Sequence, residues 1–198
     1  MLCAYLAKKL TEQGWSTQIV WLRFNHLFSK PILLLCRLLG LTRYELVNGM
    51  RIGYHNFYSC RPISLAFVVC QYLDALRVLF WRVRPALRRP DTVLIIDRYV
   101  YDILVDLMVD TRDRRLLNSA IGRSFRRLIP AGAQVILLRR GVKEVRSARP
   151  ENEFDRNFAF RYLCYQAVAR QGGVSVVEND CSLTELFARI DSIVFGAR

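Results

Sequence analysis

Histidine, paired cysteines, acidic charge and long uncharged apolar runs are all scarce in this sequence, and each shortage narrows what the chain can do. Only two histidines occur, His26 and His55, and the six cysteines (Cys3, Cys36, Cys60, Cys70, Cys164 and Cys181) form no CxxC pair. Structural zinc is therefore not expected, and the thiols read as buried groups in a reducing compartment. The two longest uncharged apolar stretches, Pro31 to Cys36 and Pro62 to Leu73, stop short of the roughly 20 residues that a spanning helix needs. On that reading no segment crosses a membrane and no membrane partner is expected. The opening Met1 to Leu10 places its lysines after the apolar residues, unlike a charge-first secretory signal, so a cytoplasmic location is expected. With six Pro, ten Gly, 53% hydrophobic residues and no repeat or low-complexity tract in 198 residues, one domain over 1–198 is expected.

Acidic residues number 17 against 30 basic ones, a formal net charge of +13. Such an excess points to a polyanionic partner: nucleic acid, an anionic membrane or nucleotide phosphates. Charge alone does not choose among them, and scattered arginines also make an ordinary solvated surface.

The periodicity alternates between helix and strand. Leu2, Leu6 and Leu10 recur at helical spacing up to Gly14, and Gln18 to Phe24 is a β-rich run. A helix is predicted over Leu27 to Leu39, closed by Gly40, then a loop from Arg43 to Cys60, then a long apolar helix from Ile63 to Trp81 ended by Pro85 and Arg88-Arg89-Pro90. Thr92 to Ile96 is an aliphatic run stopped by Asp97-Arg98, the pattern of a strand buried on both faces of a parallel sheet. Helices over Tyr101 to Val109 and Arg112 to Leu128 precede a second buried strand, Gln134 to Leu138. Helices over Val142 to Ala148 and Phe154 to Arg170, a short strand Val174 to Val177, and an amphipathic helix Leu183 to Phe195 with Ser182 as N-cap complete the chain. The alternation predicts a doubly wound α/β fold.

In such folds ligands bind beyond the carboxyl ends of the strands, which puts Asp97 and Arg98 in a position to act. A carboxylate there can hold magnesium, and a guanidinium can bridge two phosphates; the same pair would equally serve as a helix cap and a surface arginine. Ile95-Ile96-Asp97-Arg98-Tyr99-Val100-Tyr101-Asp102 resembles the Asp-Arg-Tyr motif ending the third strand of thymidylate kinases. Val105-Asp106-Leu107, Val109 to Asp113, Gly122-Arg123 and Leu128-Ile129-Pro130 resemble the same region of archaeal-type members, as does the opening helix running into Val20-Trp21-Leu22-Arg23.

The resemblance implies a P-loop nucleoside monophosphate kinase that uses ATP and Mg²⁺ to phosphorylate dTMP or a related nucleotide. It gives Asp97 a role near the metal and the attacking phosphate, and Arg98 a role holding donor and acceptor phosphates together. Val142 to Arg149 resembles the helix leading into the family's arginine-bearing lid, making Arg149 the candidate for stabilising charge on the transferred group. Tyr99, and the aromatic loop with Arg51, Tyr54, Phe57, Tyr58 and Arg61, would meet the nucleotide substrate, although aromatics at such spacing also build cores. A homodimer stays open.

Two departures stand out. Arg139-Arg140-Gly141 occupies the end of the fourth strand, where relatives place acidic residues. No GxxxxGK[ST] occurs, so the first strand and the Walker A loop that cradles phosphates are missing. That strand is central in the family and its loss would split the sheet, leading to the expectation that the natural protein extends further at its amino end. The competing reading is an inactive, basic, kinase-like protein that binds nucleic acid or nucleotides.

Overall fold

The turns and caps follow from a few residues. In the computed structural model, which describes residues 1–22, 26–47, 50–148 and 150–196, helix α1 (Leu2–Glu12) buries Leu6 and Leu10. It is closed by Gly14 at φ +88, a backbone state that costs a glycine little. The chain then enters strand β1 (Ser16–Trp21), which pairs in parallel with β4 (Thr92–Asp97) from Ser16↔Thr92 to Trp21↔Asp97. Because the pair is parallel, both carboxyl ends open on the same edge.

The fold is α/β, and the described residues gather into two compact units. The first comprises residues 1–43 and 55–129, the second 44–54 and 130–198. In the first unit, α2 (Lys30–Leu38) and α3 (Arg61–Val78) precede β4, and α5 (Val100–Thr111) and α6 (Ala120–Arg126) follow it. Helix α5 is the centre of this core: Leu104, Val105, Leu107, Met108 and Val109 are essentially inaccessible, and each such burial contributes about 1.5–3 kcal/mol. Tyr72 of α3 meets Phe125 of α6 edge to face at 5.2 Å. Gly122 is fixed by packing, since a Cβ there would lie 2.1 Å from the Leu116 carbonyl oxygen.

In the second unit β5 (Val135–Arg139) pairs in parallel with β6 (Val174–Glu178). Helices α7 (Val142–Ala148), α8 (Phe158–Ala169) and α9 (Leu183–Val194) complete it, with Phe158, Cys164, Val168, Val177, Leu186 and Ile190 buried. Ser182 accepts from Glu185 N while the Glu185 carboxylate accepts from Ser182 N, a reciprocal capping box that starts α9.

Three local expectations are corrected. The predicted loop from Arg43 to Cys60 contains strands β2 (Thr42–Val47) and β3 (Met50–His55), which pair with each other, and a short 3-10 turn over Phe57–Ser59. Pro85 does not end the third helix: a π-helical turn over Leu79–Val83 hands α3 on to α4 (Arg84–Leu87), where Pro85 occupies the first turn. Proline cannot donate to the preceding turn, and the wider π-helical turn just before it accommodates the missing bond, so the helix continues. The resulting segment, Arg61–Leu87, is 27 residues with a mean hydropathy of 1.7 over its best window, long and apolar enough to span a membrane by length and composition. In sequence the apolar run breaks at Asp74, a residue that the structure turns inward. Finally, β4 is half-buried and not enclosed. Among the described residues the strands form three separate two-stranded sheets, leaving β4 a ladder partner on one side only.

Candidate functional site

Asp97 ends β4 as an exposed carboxylate, and its carbonyl accepts from Leu22 N at 3.3 Å, tying it to the end of β1. Arg98 follows at φ +62, a left-handed state that costs a non-glycine residue about 1–3 kcal/mol. Its guanidinium reaches Asp102 Oδ1 of α5 at 3.4 Å, with both side chains partly exposed. Tyr99 turns inward, 9% exposed, and its hydroxyl donates to the Ala75 carbonyl at 3.4 Å. Burial pushes this phenol well above its ordinary pKa, so it stays a protonated donor. The strained backbone thus divides its neighbours: Tyr99 anchors the turn and Asp97 faces outward.

The amino end of α1 adjoins this edge. Burial raises the Cys3 thiol pKa, and the nearby Asp97 carboxylate raises it further. Helix α1 packs against β4 as well as β1.

Behind the edge lies a polar cluster that the sequence reading missed. Asp74 of α3 is 3% exposed, yet its carboxylate accepts from Leu27 N at 2.8 Å, Phe28 N at 2.9 Å, Ser29 N at 3.1 Å and Ser29 Oγ at 2.7 Å. Gln71, one turn earlier, donates Nε2 to Ser29 Oγ at 3.1 Å and lies 2.7 Å from His26 Nδ1. Burial lowers the His26 pKa, against the raising effect of Asp74 and Asp106. His55 is likewise lowered by burial and by His26, while its Nδ1 lies 3.0 Å from Thr42 Oγ1. Asp102, Asp106 and Asp110 recur every fourth residue on α5, so one helix carries carboxylates toward both Arg98 and the histidines. That spacing, and a charge interrupting the apolar run at Asp74, were the signals available.

The remaining expected site residues do not gather there. Phe57 is fully buried, stacked on His55 at 5.1 Å and tilted against Phe67 at 4.5 Å, and leaves no ring face for a base. Tyr58 is half-exposed, and the Arg112 guanidinium lies 5.9 Å from its ring centre. Arg61 is exposed as the first residue of α3. Arg51 belongs to β3 with its side chain outside the described residues, and Arg149 falls outside them altogether.

No group of three or more His, Cys, Asp or Glu residues suited to a metal occurs among the described residues. That does not disqualify magnesium, which is commonly held by one carboxylate together with substrate phosphates, and the exposed Asp97 fits that role.

In the second unit a cavity of about 300 Å³ is lined by Arg139, Arg140, Gly141, Tyr162, Gln166 and Glu178. At the end of β5 Arg139 is paired with Glu178, while Arg140 keeps its charge and donates Nε to the Asn179 carbonyl at 2.6 Å. Tyr162 adds a 3.4 Å bond to the Arg140 carbonyl. Arg146 of α7 lies over the Phe158 ring at 5.3 Å. A scan against models of known protein families finds no match for the chain, and a search of curated proteins finds none either.

Proposed function

We infer that the chain carries the acceptor side of a nucleoside monophosphate kinase of the P-loop, doubly wound type acting on dTMP or a closely related nucleotide; γ-phosphoryl transfer from ATP would need a phosphate-binding loop, and these 198 residues contain no GxxxxGK[ST]. The observation that carries this reading is the strained Arg98 beside the exposed Asp97, at the carboxyl edge of a parallel strand pair. Asp91 and Arg112 also stand at positive φ, before β4 and after α5, and Arg98 differs in lying at the carboxyl end of a parallel strand, where the turn sets its guanidinium at the strand edge.

In this reading Arg98 binds the acceptor phosphate through its planar fork, and Asp102 keeps the fork from turning into solvent. Tyr99, fixed through Ala75, sets where the turn sits. Asp97 would hold Mg²⁺, whose charge would neutralise the phosphates during transfer. Arg61 would meet the nucleotide from the start of α3. The fully enclosed Phe57 serves the reading only by holding His55 in place.

Acceptor binding is the test that is independent of the phosphate-binding loop. Calorimetric titration of the 198-residue chain with dTMP should show binding, with thymidine at least about tenfold weaker because one charge-assisted phosphate contact is lost. Equal affinity for dTMP and thymidine, or none for either, would remove the reading.

A further inference from the structure

The helical segment Arg61–Leu87 has two unlike faces. Its inner face is buried through Phe67, Val68, Ala75, Val78 and Val83. On the outer face Leu65, Val69, Leu73 and Phe80 succeed one another at steps of four, four and seven residues, 65%, 41%, 40% and 49% exposed. The row ends at Trp81, 79% exposed, and at Leu87. Such spacing keeps Leu65, Val69 and Leu73 on one stripe, about 12 Å long at 1.5 Å per residue, and Phe80 and Trp81 follow it in the π-helical turn.

The charge on this segment is one-sided. Arg82, Arg84, Arg88 and Arg89 are all exposed around its carboxyl end, and the Arg84 guanidinium lies 4.2 Å from the Phe80 ring centre. The one carboxylate between Arg61 and Pro90 is Asp74, which is buried in bonds to residues 27–29. The solvent side of the helix therefore presents apolar groups, an aromatic pair and an excess of arginines, with Asp91, just beyond Pro90, as the adjacent exposed acid.

We propose that the outer face of Arg61–Leu87 is a peripheral binding surface for bilayers that carry anionic headgroups. A bilayer surface matches both halves of the pattern: leucines, Phe80 and Trp81 enter the boundary between acyl chains and headgroups, and the arginines sit at headgroup level. Nucleic acid matches the arginines but offers nothing for Leu65, Val69 and Leu73. A second copy matches the leucines, but it brings the same excess of arginines over Asp91 to the interface. The buried inner face makes the helix lie on the surface with the rest of its unit attached.

The test is cosedimentation of the full chain with extruded vesicles at about 0.1 M salt. One set is phosphatidylcholine alone, the other about one-third phosphatidylserine. Binding to the anionic vesicles should exceed binding to neutral ones at least about tenfold, with tryptophan emission shifted to the blue. Arg88→Ser with Arg89→Ser should weaken it by about 25-fold, fivefold per arginine. Trp81→Ser should weaken it several-fold and remove most of the blue shift, and all three positions are exposed enough for melts to stay parental. Equal binding to both vesicle types, absence of binding, or parental binding by the arginine variant would overturn the proposal. So would a stable dimer split by Leu73→Glu with no vesicle binding, which would give the face to a second copy. Salt-sensitive retention of duplex DNA or RNA without vesicle binding would give the arginines to nucleic acid instead.

Discussion

Replacing Asp74 by Asn tests whether this buried carboxylate organises the segment after β1. In the parent, Oδ1 accepts from Leu27 N and Phe28 N, while Oδ2 accepts from Ser29 N and Ser29 Oγ. Asn keeps the size and one oxygen, so the first two bonds can survive. At the second position it presents an amide NH₂ to two donors, and both lose their acceptor. A hydrogen bond to a charged group contributes about 1.5–3 kcal/mol, and Ser29 Oγ finds little relief at His26 Nδ1, which already accepts from Gln71 Nε2 at 2.7 Å. The net cost is then about 3–5 kcal/mol, in line with removal of one partner from a buried charged network. For a chain of this length that lowers Tm by about 10 °C. Thermal melts and urea titrations of parent and variant measure it directly. A Tm within about 3 °C of the parent, with an unchanged urea slope, would show that residues 26–29 do not depend on this carboxylate.

Two further predictions come from packing and from the histidines. Gly122→Ala places a Cβ 2.1 Å from the Leu116 carbonyl, and since that contact is to backbone, α6 must shift, at a cost of about 2–4 kcal/mol in a urea melt. A parental midpoint would mean that the turn before α6 yields freely. His26 and His55 both have pKa values lowered chiefly by burial, so the unfolded chain takes up protons before the folded one does. Their contribution to stability is present above the ordinary imidazole pKa of about 6.5 and is lost as pH falls through it toward the depressed folded values. Tm should be level above about pH 7 and fall between about pH 6.5 and 5, and His26→Gln should flatten that slope. An unchanged slope in His26→Gln would place the titrating groups elsewhere.

Most helices and the parallel strands were legible because their patterns are local, whereas the helix expected over Arg112 to Leu128 breaks at left-handed Arg112 and extended Ser119 into a 3-10 turn, Arg114–Asn118, and α6. The leucine spacing of α1, the aliphatic run of β4 and the Ser182 to Glu185 cap of α9 are each set by residues close in sequence, and the structure agrees to within a few positions. The β2–β3 pair was missed although Asn48-Gly49, a strong turn dipeptide, lies between two β-rich runs; the glycines and aromatics around it read as loop. The position of Asp97 and Arg98 at a strand end was legible, but the positive φ of Arg98 was not, since nothing in an arginine announces it. The cluster of His26, Ser29, Gln71 and Asp74 depends on contacts across 42 to 47 residues, which no local pattern encodes. Sequence could say only that Asp74 breaks an apolar run; that it turns inward depends on the backbone donors waiting there.

The central claim, that Arg98 is held under strain to meet a nucleotide phosphate, is tested most directly by Arg98→Gly. Glycine takes positive φ at little cost, so the substitution removes strain and the guanidinium together. Stability and dTMP affinity, measured on the same sample by thermal melt and calorimetry, should move in opposite directions. The account predicts a Tm equal to the parent or a few degrees above it, with dTMP affinity at least about tenfold lower because one charged phosphate contact is gone. Undiminished dTMP affinity, or a loss of affinity matched by a loss of Tm, would contradict it and leave Arg98 as part of the turn between β4 and α5.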